Sequence, residues 1–129
     1  MSTHRFVSGP GLPTPAGPYS SAVTFERLVF VAGQGAGNPA TNQLAGDDIE
    51  SQTEQCFTNI AAILEAAGSS LGHVLKVSVF LVDMADFARM NTVYERRFGR
   101  NRPARTTIQA AALPMPELRV EIDCIAYVP

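Results

Sequence analysis

The residues best suited to chemistry lie in one octapeptide, Arg102-Pro103-Ala104-Arg105-Thr106-Thr107-Ile108-Gln109. Pro103 biases Arg102 away from helix, so any helix before it has ended. Beyond the proline an extended chain turns Arg105, Thr107 and Gln109 to one face and Thr106, Ile108 and Ala110 to the other. A guanidinium carries a planar fork of donors and keeps its charge, which suits two-pronged capture of a carboxylate or phosphate. The same arginine would serve in a surface ion pair, and the octapeptide alone leaves both readings open. Tyr19 directly follows the Gly- and Pro-rich loop from Gly9 to Pro18 and can pack by its ring or bond by its hydroxyl. Asn91 is an amide on an otherwise apolar and aromatic helical stripe, so it needs a hydrogen-bond partner there. His73 has no second histidine nearby and reads as an ordinary loop residue.

Other chemistries are poorly supported. Gly33-Gln34-Gly35-Ala36-Gly37 has glycine spacing reminiscent of a phosphate loop, but neither Lys-Ser nor Lys-Thr follows it and no helix begins there. Cys56 and Cys124 are far apart and outside any CxxC, so neither zinc nor redox chemistry is expected; two buried thiols in a reducing compartment are. The formal net charge is -2 and the ten Lys and Arg form no long run, which argues against nucleic acid as a partner. The start, Met1 to Arg5, leads into no apolar run of signal length, and no stretch approaches a membrane span. A cytoplasmic, soluble protein is therefore expected. The 129 residues suit one domain, 1–129. Only 17% of them are charged and 46% are hydrophobic, lean in charge for a small monomer, which points to buried subunit contacts.

The elements that must position these groups follow from periodicity. Phe6 to Ser8 predicts a short strand, and Ser20 to Phe25 with Leu28 to Val31 predicts a hairpin whose turn is longer than two residues, because Glu26-Arg27 lacks Gly, Asn or Asp. Asp47 with Glu50 predicts the cap of a long helix buried along Ile49, Thr53, Cys56, Phe57, Ile60, Ile63, Leu64 and Ala67, and stopped by Gly68. Ser51, Gln52, Glu54, Gln55, Thr58 and Glu65 read as its solvated face. Val74 to Val82 predicts a strand with Leu75, Val77, Val79 and Leu81 on one face and Lys76, Ser78 and Phe80 on the other. Asp83 is predicted to open a second helix carrying Met84, Phe87, Met90, Asn91, Tyr94 and Phe98, stopped by Gly99. A last strand carries Val120, Ile122, Cys124, Ala126 and Val128 on one face, with Glu121 and Asp123 on the other.

The order β-β-α-β-α-β-β predicts an α+β fold, a mixed sheet with both helices on one face. The other face is expected to carry Arg105, Thr107, Glu121, Asp123, Lys76 and Ser78. The chain has no third long helix to cover that face, so further subunits are expected to do so, with these polar groups in the interface clefts.

The motifs Gly17-Pro18-Tyr19, Ala32-Gly33-Gln34 with Asn38-Pro39, Asp86-Phe87 with Asn91 and Tyr94, Pro103-Ala104-Arg105, Leu113-Pro114 and Val120-Glu121-Ile122-Asp123 with Ile125-Ala126 resemble the Rid family, also called YjgF. The resemblance runs through nearly the whole chain in order. It implies a barrel-like homotrimer of chorismate-mutase-like subunits with ligand sites in the interface clefts. In the arginine-bearing branch it implies hydrolysis of reactive enamines or 2-imino acids, such as 2-iminobutanoate and 2-iminopropanoate, to 2-keto acids and ammonia, with no metal and no organic cofactor. Carried over residue by residue, it makes Arg105 the carboxylate anchor and Asp123 the proton-carrying carboxyl. Tyr19, Thr107 and Asn91 then bind or support the substrate.

Three positions depart from the family's pattern. Asp123 stands for the usual glutamate and retracts the carboxyl by about 1 Å. Thr107 stands where cysteine is frequent, so no thiol nucleophile is available, and Ala32 stands where many members have serine. On the residues themselves, Asp123 is open to a second reading, an ion pair with Arg105 or Lys76, and Glu121 to a structural one at a subunit contact. Two further functions fit the same trimer. One is a non-catalytic binder of 2-keto acids or amino acids, and the other is a pathway-specific deaminase of the aminomuconate type, which a second basic residue in the cleft would favour. Ribonuclease activity, attached to some relatives, is disfavoured by the acidic pI of about 5.6.

Overall fold

Asp48 starts the longest helix, α1 (Ile49–Ala66): from an extended backbone its carboxylate accepts the Ser51 amide at 2.9 Å, which satisfies a first-turn donor. The expected cap, Asp47, is one residue early, and its carbonyl accepts Arg119 Nε instead. The computed structural model describes residues 3–129; Met1 and Ser2, where the reading for a leader began, lie outside them. Gly68, at φ 86°, follows the C-cap Ala67, so the helix stops where the sequence placed its end. Ile49, Cys56, Phe57, Ile60, Ile63 and Leu64 are buried. Gln52, read as solvated, is fully buried as well. Its amide donates to the carbonyls of Gly46 and Glu117, each at 3.0 Å, and accepts the Arg119 amide at 2.7 Å. Helical spacing describes one element at a time and is blind to loops that close over its outer face.

The sheet has six strands in the order β1 (His4–Val7), β2 (Ala22–Phe25), β3 (Leu28–Gln34), β6 (Val120–Tyr127), β4 (Val74–Leu81) and β5 (Ala104–Gln109). Only β4 and β5 are parallel neighbours, joined through the second helix, α2 (Phe87–Phe98); every other pairing is antiparallel. α2 begins later than expected. Asp83 caps a single 3₁₀ turn, Met84–Asp86, by accepting the Ala85 amide, and the α-helix follows it. Gly99, at φ 62°, ends α2.

Two local departures have simple causes. The turn between β2 and β3 has only two residues, with Phe25 paired to Leu28 and Glu26 forced to φ 55°, because the twist of the paired strands favours positive φ at that position. In β4 the pairing with β6 shifts between Val74 and Lys76, which buries both Val74 and Val77 and turns Leu75 outward, 48% exposed. The predicted apolar face therefore loses Leu75 and keeps Val77, Val79 and Leu81.

Register decides which way the chemical groups point. Val77 pairs with Arg105 and Val79 with Thr107, and paired residues share a face, so Arg105 and Thr107 lie on the helix side of the sheet. Ser78 pairs with Asp123 and Phe80 with Glu121 on the open side. The expectation that all of these line one face is thus corrected: alternation within β5 was legible, but its phase relative to β4 was not. The open face also presents Phe25, Leu28, Phe30 and Ile108, all exposed.

Replacing Gln52 by leucine removes partners from the Gly46 and Glu117 carbonyls and the Arg119 amide. A loss of about 2–4 kcal/mol is expected, read as a lower urea midpoint. A change under about 0.5 kcal/mol, typical of a solvated helix face, would contradict the burial.

Candidate active site

Arg105 lies near the start of β5, an edge strand, and its guanidinium reaches back over α2. Its Cζ lies 4.6 Å from the Tyr94 ring centroid and 5.4 Å from that of Phe87. Nη1 donates to Asn91 Oδ1 at 2.8 Å, which answers the question of what the misfit amide of α2 bonds. Spacing alone puts Phe87, Asn91 and Tyr94 on one helical stripe, so about two turns of α2 supply the platform and the strut. Among the described residues Arg105 meets no carboxylate within ion-pair distance, so the surface-ion-pair reading fails.

Two hydroxyls beside this arginine, Thr107 Oγ1 and Tyr94 Oη, are buried without a hydrogen-bond partner. Buried hydroxyls without a protein partner are uncommon. Burial raises the Tyr94 phenol above its ordinary range, although the nearby Arg105 charge works in the opposite direction. A cavity of about 350 Å³ opens here, lined by Asn91, Tyr94, Glu95, Arg102, Pro103 and Arg105.

Tyr19 is elsewhere. It stands at the end of the Gly- and Pro-rich loop, half exposed, with its hydroxyl accepting the Ala16 amide at 3.2 Å. Together with Gly33, Gln34 and Glu121 it lines a second cavity of about 220 Å³. Glu121 is the residue that sequence reasoning set aside. Its side chain lies so close over β3 that a Cβ on Gly33 would stand 2.9 Å from the carboxyl carbon, which gives the glycine of the Ala32-Gly33-Gln34 motif a steric reason unrelated to phosphate. Burial raises the Glu121 carboxyl above its usual range, and the charge of Asp123 on the same face adds to the effect. A signal was present in the sequence: glycine and glutamate on two strands that pair, although the pairing itself was not legible.

Asp123 lies on the open face in register with Ser78, away from the Arg105 face, and forms no ion pair among the described residues. Lys76 does not join Arg105 either; its Nζ donates to Thr106 Oγ1 at 2.8 Å on the open side. His73 bonds Ser70 Oγ through Nδ1 and meets the Tyr127 ring edge to face, a packing role. Cys56 and Cys124 are free and buried, and burial pushes the Cys124 thiol up to about 12. Among the described residues no cluster of three or more His, Cys, Asp or Glu is arranged to hold a metal ion. No helix among them is long and apolar enough to cross a membrane. One chain thus presents two half-sites: Arg105, Asn91 and Thr107 near one edge of the sheet, and Tyr19 with Glu121 across from it.

Residues 11–128 match the family model described as Endoribonuclease L-PSP. A RutC family protein of Pyrococcus horikoshii is 49% identical over 115 residues, covering 89% of this chain and 90% of that protein. A 2-iminobutanoate/2-iminopropanoate deaminase of Capra hircus is 41% identical over 122 residues, 95% of this chain and 88% of that protein. Among solved structures, RidA from an Antarctic Psychrobacter bacterium superposes with a TM-score of 0.91 at 40% identity, covering 96% of this chain and 99% of that one. TdcF of E. coli, solved with bound serine, gives 0.90 at 33% identity over 95% and 98%.

The carboxyl of Glu121 makes a pH-dependent contribution whose sign follows from its upward displacement. A carboxyl that holds its proton more tightly when folded favours the fold below its unfolded value, and that contribution is lost as pH rises through the folded value. Glu121→Gln is therefore expected to raise the urea midpoint at pH 7, with the advantage shrinking toward pH 4. An advantage that grows on acidification would show the carboxylate to be stabilised in the fold.

Proposed function

This chain belongs to the Rid/YjgF family, and from that membership we propose that it is an enamine/imine deaminase, converting small 2-imino acids to 2-keto acids and ammonia. The observation that carries the reading is Arg105, a partly buried cation held on Tyr94 and Asn91 with no carboxylate partner among the described residues, beside an unpartnered Thr107 hydroxyl. A 2-imino acid brings the missing carboxylate. The serine held by TdcF, a 2-amino acid, is of the same class of ligand.

In this reading the Arg105 fork grips the substrate carboxylate, and the Thr107 hydroxyl donates a further bond to it. The protonated imine carbon is already electrophilic, so the protein needs chiefly to hold it against a water. The Glu121 carboxylate takes a proton as the water oxygen bonds to carbon, giving a carbinolamine. It returns that proton to the nitrogen, the C–N bond breaks, and ammonia leaves as the Glu121 carboxylate takes the hydroxyl proton and the carbonyl forms. A carboxyl raised toward neutrality is better matched to both transfers than an ordinary one. Glu121 takes the role first carried over to Asp123, because Glu121 lines a cavity with Tyr19.

The two half-sites are on opposite faces of one sheet, so they act together only across copies. A heterologous contact that sets the Tyr19 and Glu121 half of one chain against the Arg105 half of the next closes into a ring, which we take to be a trimer. The exposed Phe30, Ile108, Leu28 and Phe25 on the open face give such a ring an apolar interior.

The test is semicarbazide trapping of imines generated in place by an amino acid oxidase. Suppressed trapping is expected with the protein, a loss of about 10–150-fold in Arg105→Ala, matching roughly 1.5–3 kcal/mol for charge-assisted bonds, and a comparable loss in Glu121→Gln. Asp123→Ala is expected to retain most activity. Unchanged trapping with every imine, by a protein that still binds 2-keto acids, would favour a non-catalytic binder instead. Sedimentation is expected to give a trimer, and a monomer at micromolar concentration would break the two-chain site.

A further inference from the structure

The Arg105 cavity contains a second guanidinium. Arg102, which Pro103 biases away from the helical region, lines the same 350 Å³ space as Arg105, Tyr94 and Asn91. Nη1 donates to the Gly99 carbonyl and, at 3.2 Å, to that of Asn101, so the group folds back over the end of α2 and is not free in solvent. Nη2 reaches Glu95 Oε1 at 3.4 Å, a long contact between side chains 61% and 75% exposed. A pair so loose and so wet contributes little, and an incoming carboxylate competes with Glu95 on favourable terms. The cavity therefore offers two cations to one anion, and its buried Tyr94 hydroxyl lacks a partner.

We infer that Arg102 is a specificity-determining residue which selects ligands carrying a second anionic group: 2-imino and 2-keto acids with a side-chain carboxylate, in preference to neutral ones of equal length. The inference rests on the deaminase reading for the role of Arg105 at the shared carboxylate, and adds a role for Arg102 at the distal end. Lys76, the basic residue that the sequence offered for such a role, points to the opposite face. Glu95 then acts as a counter-ion that the ligand displaces, and it weakens binding of dianions in proportion to how well it holds Arg102.

Equilibrium binding of two keto acids of the same chain length, 2-oxoglutarate and 2-oxopentanoate, tests this by calorimetry on the assembled protein, with no need for turnover. About a tenfold preference for 2-oxoglutarate is expected, the size of one charge-assisted contact. Arg102→Gln, which keeps donors for the Gly99 and Asn101 carbonyls, should lower 2-oxoglutarate affinity about tenfold and that of 2-oxopentanoate far less. Glu95→Gln should tighten 2-oxoglutarate several-fold. Equal affinities in the unmodified protein, or an Arg102→Gln that weakens both acids alike, would overturn the inference and leave Arg102 as a cap of α2. In that case 2-oxopentanoate binding that disappears in Arg105→Ala would still uphold the deaminase reading. If neither acid binds, both readings fall together.

Discussion

A strand gives each side chain two directions, and the register of β6 between β3 and β4 fixes which of them every polar group takes. Val120, Ile122, Cys124 and Ala126 face α1 and are buried in one apolar layer with Val29, Val31, Val77, Val79 and Leu81. Glu121 and Asp123 are thereby driven to the open side. β4 carries the same phase across, and the parallel pairing of β4 with β5 sends Arg105 and Thr107 to the helix side. A one-residue slip of β5 would reverse this and bury Thr106 and Ile108 beneath α2, at the cost of every contact Arg105 makes with Asn91 and Tyr94. The placement of Arg105 and Glu121 on opposite faces is thus a consequence of core packing.

Much of this was legible in the sequence because local pattern dictated it. Both helices, the glycines that end them and the alternation of β5 and β6 follow from period and stop signals. The octapeptide around Arg105 and the strut Asn91 were identifiable by residue type. What escaped notice was relational. The bulge at Leu75, the burial of Gln52 and the face of Arg105 each depend on a second segment whose placement no periodicity encodes. Asp48 outcompeting Asp47 as a cap is a one-residue matter of which carboxylate meets the Ser51 amide. The two-residue turn at Glu26 shows pairing overriding turn preference: the register of Phe25 with Leu28 leaves the chain no longer route.

The contrast between Glu121 and Asp123 shows what residue type alone leaves open. Both are acidic, both lie on one face of β6, and the spacing treats them alike. Their surroundings differ. Glu121 lies against a glycine backbone and a half-enclosed cavity, which strips water from its carboxyl, whereas Asp123 sits over Ser78 in mid-sheet. Desolvation is what makes a carboxyl useful for proton transfer near neutrality, and desolvation is a property of the fold.

Arg105 raises the complementary question of how a cation stays partly buried without a counter-ion. Two aromatic faces and one amide oxygen supply the answer. The negative faces of Tyr94 and Phe87 are each worth about 0.5–2 kcal/mol to a nearby guanidinium, and neither removes its formal charge. A carboxylate partner in the same place would have stabilised the arginine more and silenced it, since a ligand would have to compete with a tethered anion. Aromatic support holds the fork in place while leaving its charge unneutralised. The same logic separates Arg105 from Arg102, whose loose partner Glu95 can be displaced, and from Arg89, whose two short bonds to Glu50 commit it to joining α2 to α1. In this chain the chemistry of an arginine is decided by what the fold refuses to pair it with.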